Sequence, residues 1–208
     1  MQLSQREKLE GGIRQLDLDL GKEVLDKLLA YLQLLQKWNK VYNLTAIRRP
    51  DQMLTYHLMD SLAVLPHLWA GRWLDVGSGA GLPGVVLAIA RPEWQFVLLD
   101  SNSKKTSFMK QAVIDLKLQN VTVRCERVEN WKSGDEFDGI ISRAFADVTE
   151  FISVTRHLLA KNGRWVAMKG DPATELKKLP EDIKVESLIP LAVPGLDAAR
   201  CLVVLKAG

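Results

Sequence analysis

Two acids and four glycines define the chemistry open to this chain. Leu74-Asp75-Val76-Gly77-Ser78-Gly79-Ala80-Gly81-Leu82-Pro83-Gly84 is an apolar run that breaks into glycines and leads into a second apolar run. Such a pattern predicts a buried strand turning into a helix, through a loop so bare of β-carbons that a bound molecule can rest on backbone. A second apolar run, Val97-Leu98-Leu99-Asp100, ends in an acid 25 positions after Asp75. In doubly wound α/β folds a carboxylate at that place accepts hydrogen bonds from ribose hydroxyls. Gly79 to Gly84 also reads literally as the G-x-G-x-x-G of dinucleotide enzymes. Asp75 argues against that, because it would repel a pyrophosphate. An inward-facing acid here suits either the positively charged end of an amino acid or the turn's own N–H groups.

An acid followed by G-x-G-x-G resembles the first motif of the class I S-adenosylmethionine-dependent methyltransferases. That resemblance implies S-adenosylmethionine as cofactor, held around Asp75, Gly77, Gly79, Gly81 and Asp100. The fourth strand narrows the acceptor. Phe137-Asp138-Gly139-Ile140-Ile141-Ser142-Arg143-Ala144 has neither the Pro-Pro pair of enzymes that methylate exocyclic amines nor the cysteine of those that methylate cytosine C5. Arg143 instead falls at the strand's carboxyl end, over the crevice where open α/β sheets bind ligands. A cation there suits an acceptor that loses no proton, such as guanine N7, whose neighbour O6 accepts from arginine. Catalysis would then be mostly alignment, with no general base.

Five motifs in one order sharpen the resemblance. They are Lys37-Trp38-Asn39-Lys40-Val41-Tyr42-Asn43-Leu44-Thr45, His57-Leu58-Met59-Asp60-Ser61, Val76 to Gly84, Ser142-Arg143-Ala144-Phe145 and Val193-Pro194-Gly195-Leu196-Asp197. Together they resemble the RsmG/GidB family of bacterial 16S ribosomal RNA guanine-N7 methyltransferases, over about residue 20 to the end. The family implies cofactor contacts at Gly77, Leu82, Val128, Glu129 and Arg143, and 16S ribosomal RNA or the small ribosomal subunit as partner. A methyltransferase acting on another RNA, a non-catalytic nucleotide-binding module and, behind them, a dehydrogenase are the alternatives.

Other residues have two readings each. His57, Asp60 and Ser61 share a helix face at i, i+3, i+4, as a buried polar network or as a contact to RNA. Lys169, at the end of the fifth strand, faces the crevice or is an ordinary strand-end lysine. Lys37, Lys40, Asn43, Arg48 and Arg49 surround Trp38 and Tyr42 as an aromatic and basic platform for RNA, although Trp38 continues the apolar stripe of its helix and reads as core. Lys104, Lys105 and Lys110 form a second positive face near the crevice, or a solvated helix face.

Positioning these groups takes an α/β sheet. Short apolar strands at 72–76, 95–99, 121–125, 137–142 and 163–168 alternate with helices near 83–90, 103–117 and 147–160, which predicts a parallel sheet covered on both faces. Residues 184–189 and 202–205 lack room for a crossover helix and predict a terminal antiparallel hairpin. Residues 1–70 read as a helical cap on a methyltransferase domain at 71–208, with Val24, Leu25, Leu28, Leu32 and Leu35 at helical spacing. The 208 residues, 47% hydrophobic, suffice for one substantial core, and a net charge of +3 means that RNA binding must come from a local patch. Cys125 and Cys201 read as buried free thiols, with no Cys/His spacing for a metal. The N-terminus lacks an apolar secretion segment and no run is long enough to span a bilayer, so a cytoplasmic location is expected; a monomer is expected as well.

Overall fold

The computed structural model describes residues 4–208 except 133, 135, 144 and 146; Ala144 of the fourth-strand motif and Met1, Gln2 and Leu3 therefore lie outside the described residues. Helix α1 (Gln5–Gln15) starts at a reciprocal cap between Ser4 and Glu7, and α2 (Lys22–Tyr42) ends where Asn43 turns left-handed at φ 49°. Helix α3 (Pro50–Met53) runs directly into a six-residue π-helix, Leu54–Met59, and then α4 (Asp60–Leu62). Alternating elements follow: β1 (Arg72–Val76), α5 (Gly84–Ala90), β2 (Gln95–Asp100), α6 (Ser103–Asp115), β3 (Val121–Cys125), β4 (Phe137–Ser142), α7 (Val148–Thr155), β5 (Leu159–Lys169) and α8 (Ala173–Leu176). The chain closes with β6 (Ile183–Pro190) and β7 (Cys201–Ala207).

The seven strands lie in the order β3-β2-β1-β4-β5-β7-β6. β1 to β5 pair in parallel and β7 is antiparallel to both neighbours, so the final pair is the expected hairpin. Pro190 fits because β6 is an edge strand, where a missing N–H costs no ladder bond. The chain passes from β1 outward to β3 and then across to β4, which puts the topological switch point at the carboxyl ends of β1 and β4.

Strand alternation divides the core. Trp73, Leu98, Val166 and Leu202 face one side, with α5, α6 and the helices of residues 1–70 represented by Leu28, Tyr31, Leu58 and Phe108. Leu74, Val97, Ala167 and Val203 face the other, with Phe151 of α7. The N-terminal helices thus share one apolar layer with the sheet.

Three expectations shift. The helix expected over 147–160 stops at Thr155, a 3-10 turn covers Arg156–Leu158, and β5 begins at Leu159, not 163. The cause is a bulge: Phe137 pairs with Leu159 but Gly139 with Arg164, so extra polar residues loop out of the alternation that marks a strand. Helix α6 ends at Asp115, because Lys117 takes a left-handed φ of 52°. Cys201 is buried, but Cys125 is exposed, since β3 is an edge strand largely open to solvent.

Candidate active site: two adjoining clefts

The loop between β1 and α5 is a closed set of backbone bonds. Gly77 and Ser78 N–H groups donate to the Leu99 carbonyl at 2.8 and 3.0 Å, and Gly81 and Leu82 N–H groups to the Ser78 carbonyl at 2.8 Å. Gly77, Gly79 and Gly81 hold φ of 70°, 60° and 84°, a region that side-chain-bearing residues rarely adopt. Asp75 lies wholly buried beneath; its Oδ2 accepts from Gly84 N–H at 2.9 Å while Oδ1 has no partner. Of the two roles open to this acid, the structure shows it holding the turn. Burial pushes its carboxyl up to about 7, against the opposing pull of the Gly84 N–H. From α2, the Tyr31 hydroxyl donates to the Ala80 carbonyl at 2.6 Å. Tyr31 was legible only as one more apolar position in a stripe.

Asp100 binds the same loop from β2, accepting from Gly79 N–H at 2.9 Å and from Asn102 N–H at 2.8 Å. Above it opens a cleft of about 340 Å³, lined among others by Gly77, Asp100, Lys105, Val128, Glu129 and Phe145. Four cofactor candidates, Gly77, Asp100, Val128 and Glu129, therefore meet here. Asp75, Gly79 and Gly81 shape the loop without lining the cleft. Leu82 is buried in the core with its N–H already bonded to Ser78, so its side chain does not reach the cleft.

Phe145 also lines a second cleft, of about 420 Å³, into which Arg143, Lys169, His57 and Arg200 project. Arg143, assigned to the cofactor, thus lies on this neighbouring side. The π-helix accounts for its setting. Asp60 N–H reaches back to the Thr55 and His57 carbonyls, passing over Tyr56, whose carbonyl accepts from Arg143 Nη1 at 3.0 Å. Such wide turns recur at functional sites. Nη1 also meets Asp60 Oδ2 at 3.3 Å, and Arg200 Nε meets Asp60 Oδ1 at 3.0 Å. Asp60, 2% exposed, is a buried carboxylate held between two guanidiniums. Arg200 was not foreseen, since a lone arginine before an apolar strand carries no pattern.

His57 and Ser61 are buried with Asp60, but among the described residues Ser61 Oγ and His57 Nδ1 have no hydrogen-bond partner, so the network runs through Asp60 and through His57 Nε2 and leaves Ser61 out. His57 Nε2 lies 3.0 Å from Thr45 Oγ1, and burial together with the Arg143 charge pushes the imidazole down to about 4. Lys169 is no ordinary strand-end lysine: its Nζ donates to the Phe145 carbonyl at 2.9 Å and to Glu175 Oε2 at 2.7 Å. Trp38 packs edge-on against Phe108 at 5.7 Å, as the core reading expects. Lys105 lies 3.9 Å from Asp100, whereas Lys37, Lys40, Asn43, Arg48, Arg49 and Lys104 are exposed outside both clefts. A larger cavity of about 770 Å³, beside Trp69, Asp138 and Arg164, lies at the opposite end of the strands and holds none of these groups.

A sheet of this order, with a glycine loop and an acid at the carboxyl ends of β1 and β2, defines a class I S-adenosylmethionine-dependent methyltransferase. A methyltransferase of that cofactor class from Aquifex aeolicus superposes with a TM-score of 0.59 at 18% identity, covering 83% of this chain and 97% of its own. The pattern of the GidB family, rRNA small subunit methyltransferase G, matches residues 24–203, and the chain belongs to that family. Ribosomal RNA small subunit methyltransferase G of Methylobacillus flagellatus is 55% identical over 97% of this chain and 98% of its own, and that of Laribacter hongkongensis 53% over 95% and 96%. Among the described residues, no helix is long and apolar enough to cross a membrane.

Proposed function

We propose that this chain methylates N7 of a guanine in 16S ribosomal RNA, with S-adenosylmethionine in the cleft over Gly77 and Asp100 and the base in the cleft over Arg143. When bound, the cofactor supplies an electrophilic methyl group. The residues present fit it. A β-carbon at Gly79 would meet only the Gly77 carbonyl, at 3.9 Å, so the loop offers bare backbone, and Asp100 stands where a ribose-binding acid belongs. Val128 and Glu129 line the same cleft.

One observation carries the choice of acceptor: among the described residues lining the base cleft, no carboxylate is unpaired and the one imidazole is a weak base. Asp60 is neutralised by Arg143 and Arg200, the imidazole of His57 is held at about 4, and Lys169 is ion-paired. N7 needs none, since its lone pair is free in the ring plane. Among the described residues, both hydrogen bonds of Arg143 use Nη1, which leaves Nη2 and Nε for guanine O6. Phe145 lies on the wall common to both clefts, and Lys169 holds its carbonyl, so the fourth-strand loop sets the distance between the reactants. The reading is of a cytoplasmic monomer that acts on the RNA or on the small subunit.

N7-methylguanosine is cationic, and borohydride followed by aniline cleaves the RNA at it. Small-subunit RNA from cells with this gene is expected to show one cleavage that cells without it lack. Identical patterns, or label on adenine or cytosine from purified enzyme, would overturn the reading.

A further inference from the structure

We infer that the end of α2 and the loop after it form a docking surface for a single-stranded segment of the RNA, with Tyr42 as the platform on which one base stacks; the inference rests on RNA being the substrate. Between Lys27 and Pro50 the sequence has no acidic residue, yet it carries Lys27, Lys37, Lys40, Arg48 and Arg49, in a chain whose net charge is only +3. Lys27 is paired with Glu23 at 3.0 Å. Lys37, Lys40 and Arg48 are exposed and, among the described residues, none lies within ion-pair distance of a carboxylate. Several surface cations elsewhere are neutralised within the protein, as Lys8 is by Asp51, Arg156 by Asp182 and Lys206 by Glu186. Among the described residues Lys104, Lys110 and Lys184 are unpaired too, but only this stretch combines its cations with an exposed aromatic ring and no acid in the sequence between. Arg48 Nη2 donates to the Asn43 amide oxygen at 3.0 Å, which orients the guanidinium and leaves its charge uncompensated.

Tyr42 is 44% exposed, unusual for an aromatic ring. It rests at 5.2 Å and 31° on Trp38, which in turn meets Phe108 of the core at 5.7 Å and 61°. The outer ring is therefore held by one ring that is itself anchored in the core, so ordering it on a ligand costs little. An exposed aromatic face among uncompensated cations fits a base and its flanking phosphates. A partner offering an apolar protein surface would have to cover those cations unpaired, at a large desolvation cost.

The surface is joined to the base cleft. Asn39, on the helix turn of Tyr42, donates through Nδ2 to the Ile47 carbonyl at 3.1 Å and accepts from Thr45 N–H at 2.8 Å. Thr45 contacts His57, and Ile47 and His57 both line the cleft over Arg143. A strand lying on Tyr42 is thus led along the loop of residues 43–49 to the place where its guanine reacts.

The test is binding of fluorescent small-subunit ribosomal RNA transcript at low salt, beside assembled small subunits from cells lacking the gene. Tyr42→Ala is expected to weaken transcript binding about tenfold and Tyr42→Phe to leave it unchanged. The Lys37→Ala/Lys40→Ala double variant should reduce the slope of log affinity against log salt by about 1.4, the counterion effect of two lost single-strand phosphate contacts. Wild-type binding by Tyr42→Ala, no transcript binding by the wild type, or a loss confined to assembled subunits, which would mean a protein occupant, each overturns the surface. Methyl transfer to the same transcript tests the reaction separately. Tyr42-dependent binding without transfer would sink the reaction and support the surface; transfer with Tyr42-independent binding would do the reverse.

Discussion

The hydroxyl of Tyr31 and the carbonyl of Ala80, 49 residues apart in sequence, meet at 2.6 Å in the core, where a helix of the N-terminal layer fixes the middle of the glycine loop. Burial keeps the phenol protonated far above its ordinary range, so it is always a donor. Tyr31→Phe leaves a buried carbonyl unsatisfied, a cost of about 1–3 kcal/mol. The expected result is a dissociation constant for S-adenosylmethionine raised about five- to tenfold, with a melting temperature lower by a few degrees, read by titration calorimetry and thermal melts. Unchanged cofactor affinity would reduce the bond to packing.

Gly79→Val is expected to abolish cofactor binding while the far-ultraviolet spectrum stays native. The substitution places a β-branched residue at φ 60° and distorts the turn that holds Gly77 and Asp100 at the cleft, since Gly79 N–H donates to Asp100. Valine at that left-handed φ adds strain of about 1–3 kcal/mol that glycine does not carry. Retained affinity in this variant would remove the cofactor from the cleft assigned to it.

Arg143→Ala should slow single-turnover methylation by about 1–3 kcal/mol in barrier, the worth of a bidentate base contact, with little loss of RNA affinity. Arg143→Lys should not restore the rate. One ammonium cannot hold the Tyr56 carbonyl and Asp60 and still present a planar fork to O6. Equal rates in wild type and Arg143→Ala would remove this residue from the reaction.

Two buried groups pull stability in opposite directions between about pH 4.5 and 6.5. Asp75 has a folded value near 7, so the folded chain binds more protons than the unfolded one and stability falls as pH rises, by up to about 4 kcal/mol once pH passes 7. His57, held near 4, acts the other way: its contribution is present above about 6.5 and is lost as pH falls toward 4. Asp75→Asn should therefore unmask a rise of melting temperature with pH across this window, and His57→Asn a fall. Parallel pH profiles for the two variants would refute the opposition.

Much of this was legible in the residues, and the losses have identifiable physical reasons. The glycine loop, the parallel alternation and the terminal hairpin follow from local pattern, since positive φ and period-two burial leave marks in sequence. The π-helix does not. Leu54, Leu58 and Leu62 keep ordinary helical spacing, and one inserted residue per turn changes which carbonyl is left over, not which residues are apolar. Arg200 and Tyr31 act across distances of 140 and 49 residues, where only the fold brings partners together. Leu82 lies in the loop that carries the motif, but the direction of its side chain is decided by core packing.

Helix α2 carries Tyr31 and Tyr42 eleven residues apart, about 16 Å along one rigid rod. Any coupling between an RNA on Tyr42 and a cofactor beside the glycine loop would run along this rod, whose shaft is packed through Leu32 and Leu35. Thermodynamic reciprocity then binds the two ligands: whatever factor RNA adds to the grip on the cofactor, the cofactor must return in full to the grip on RNA.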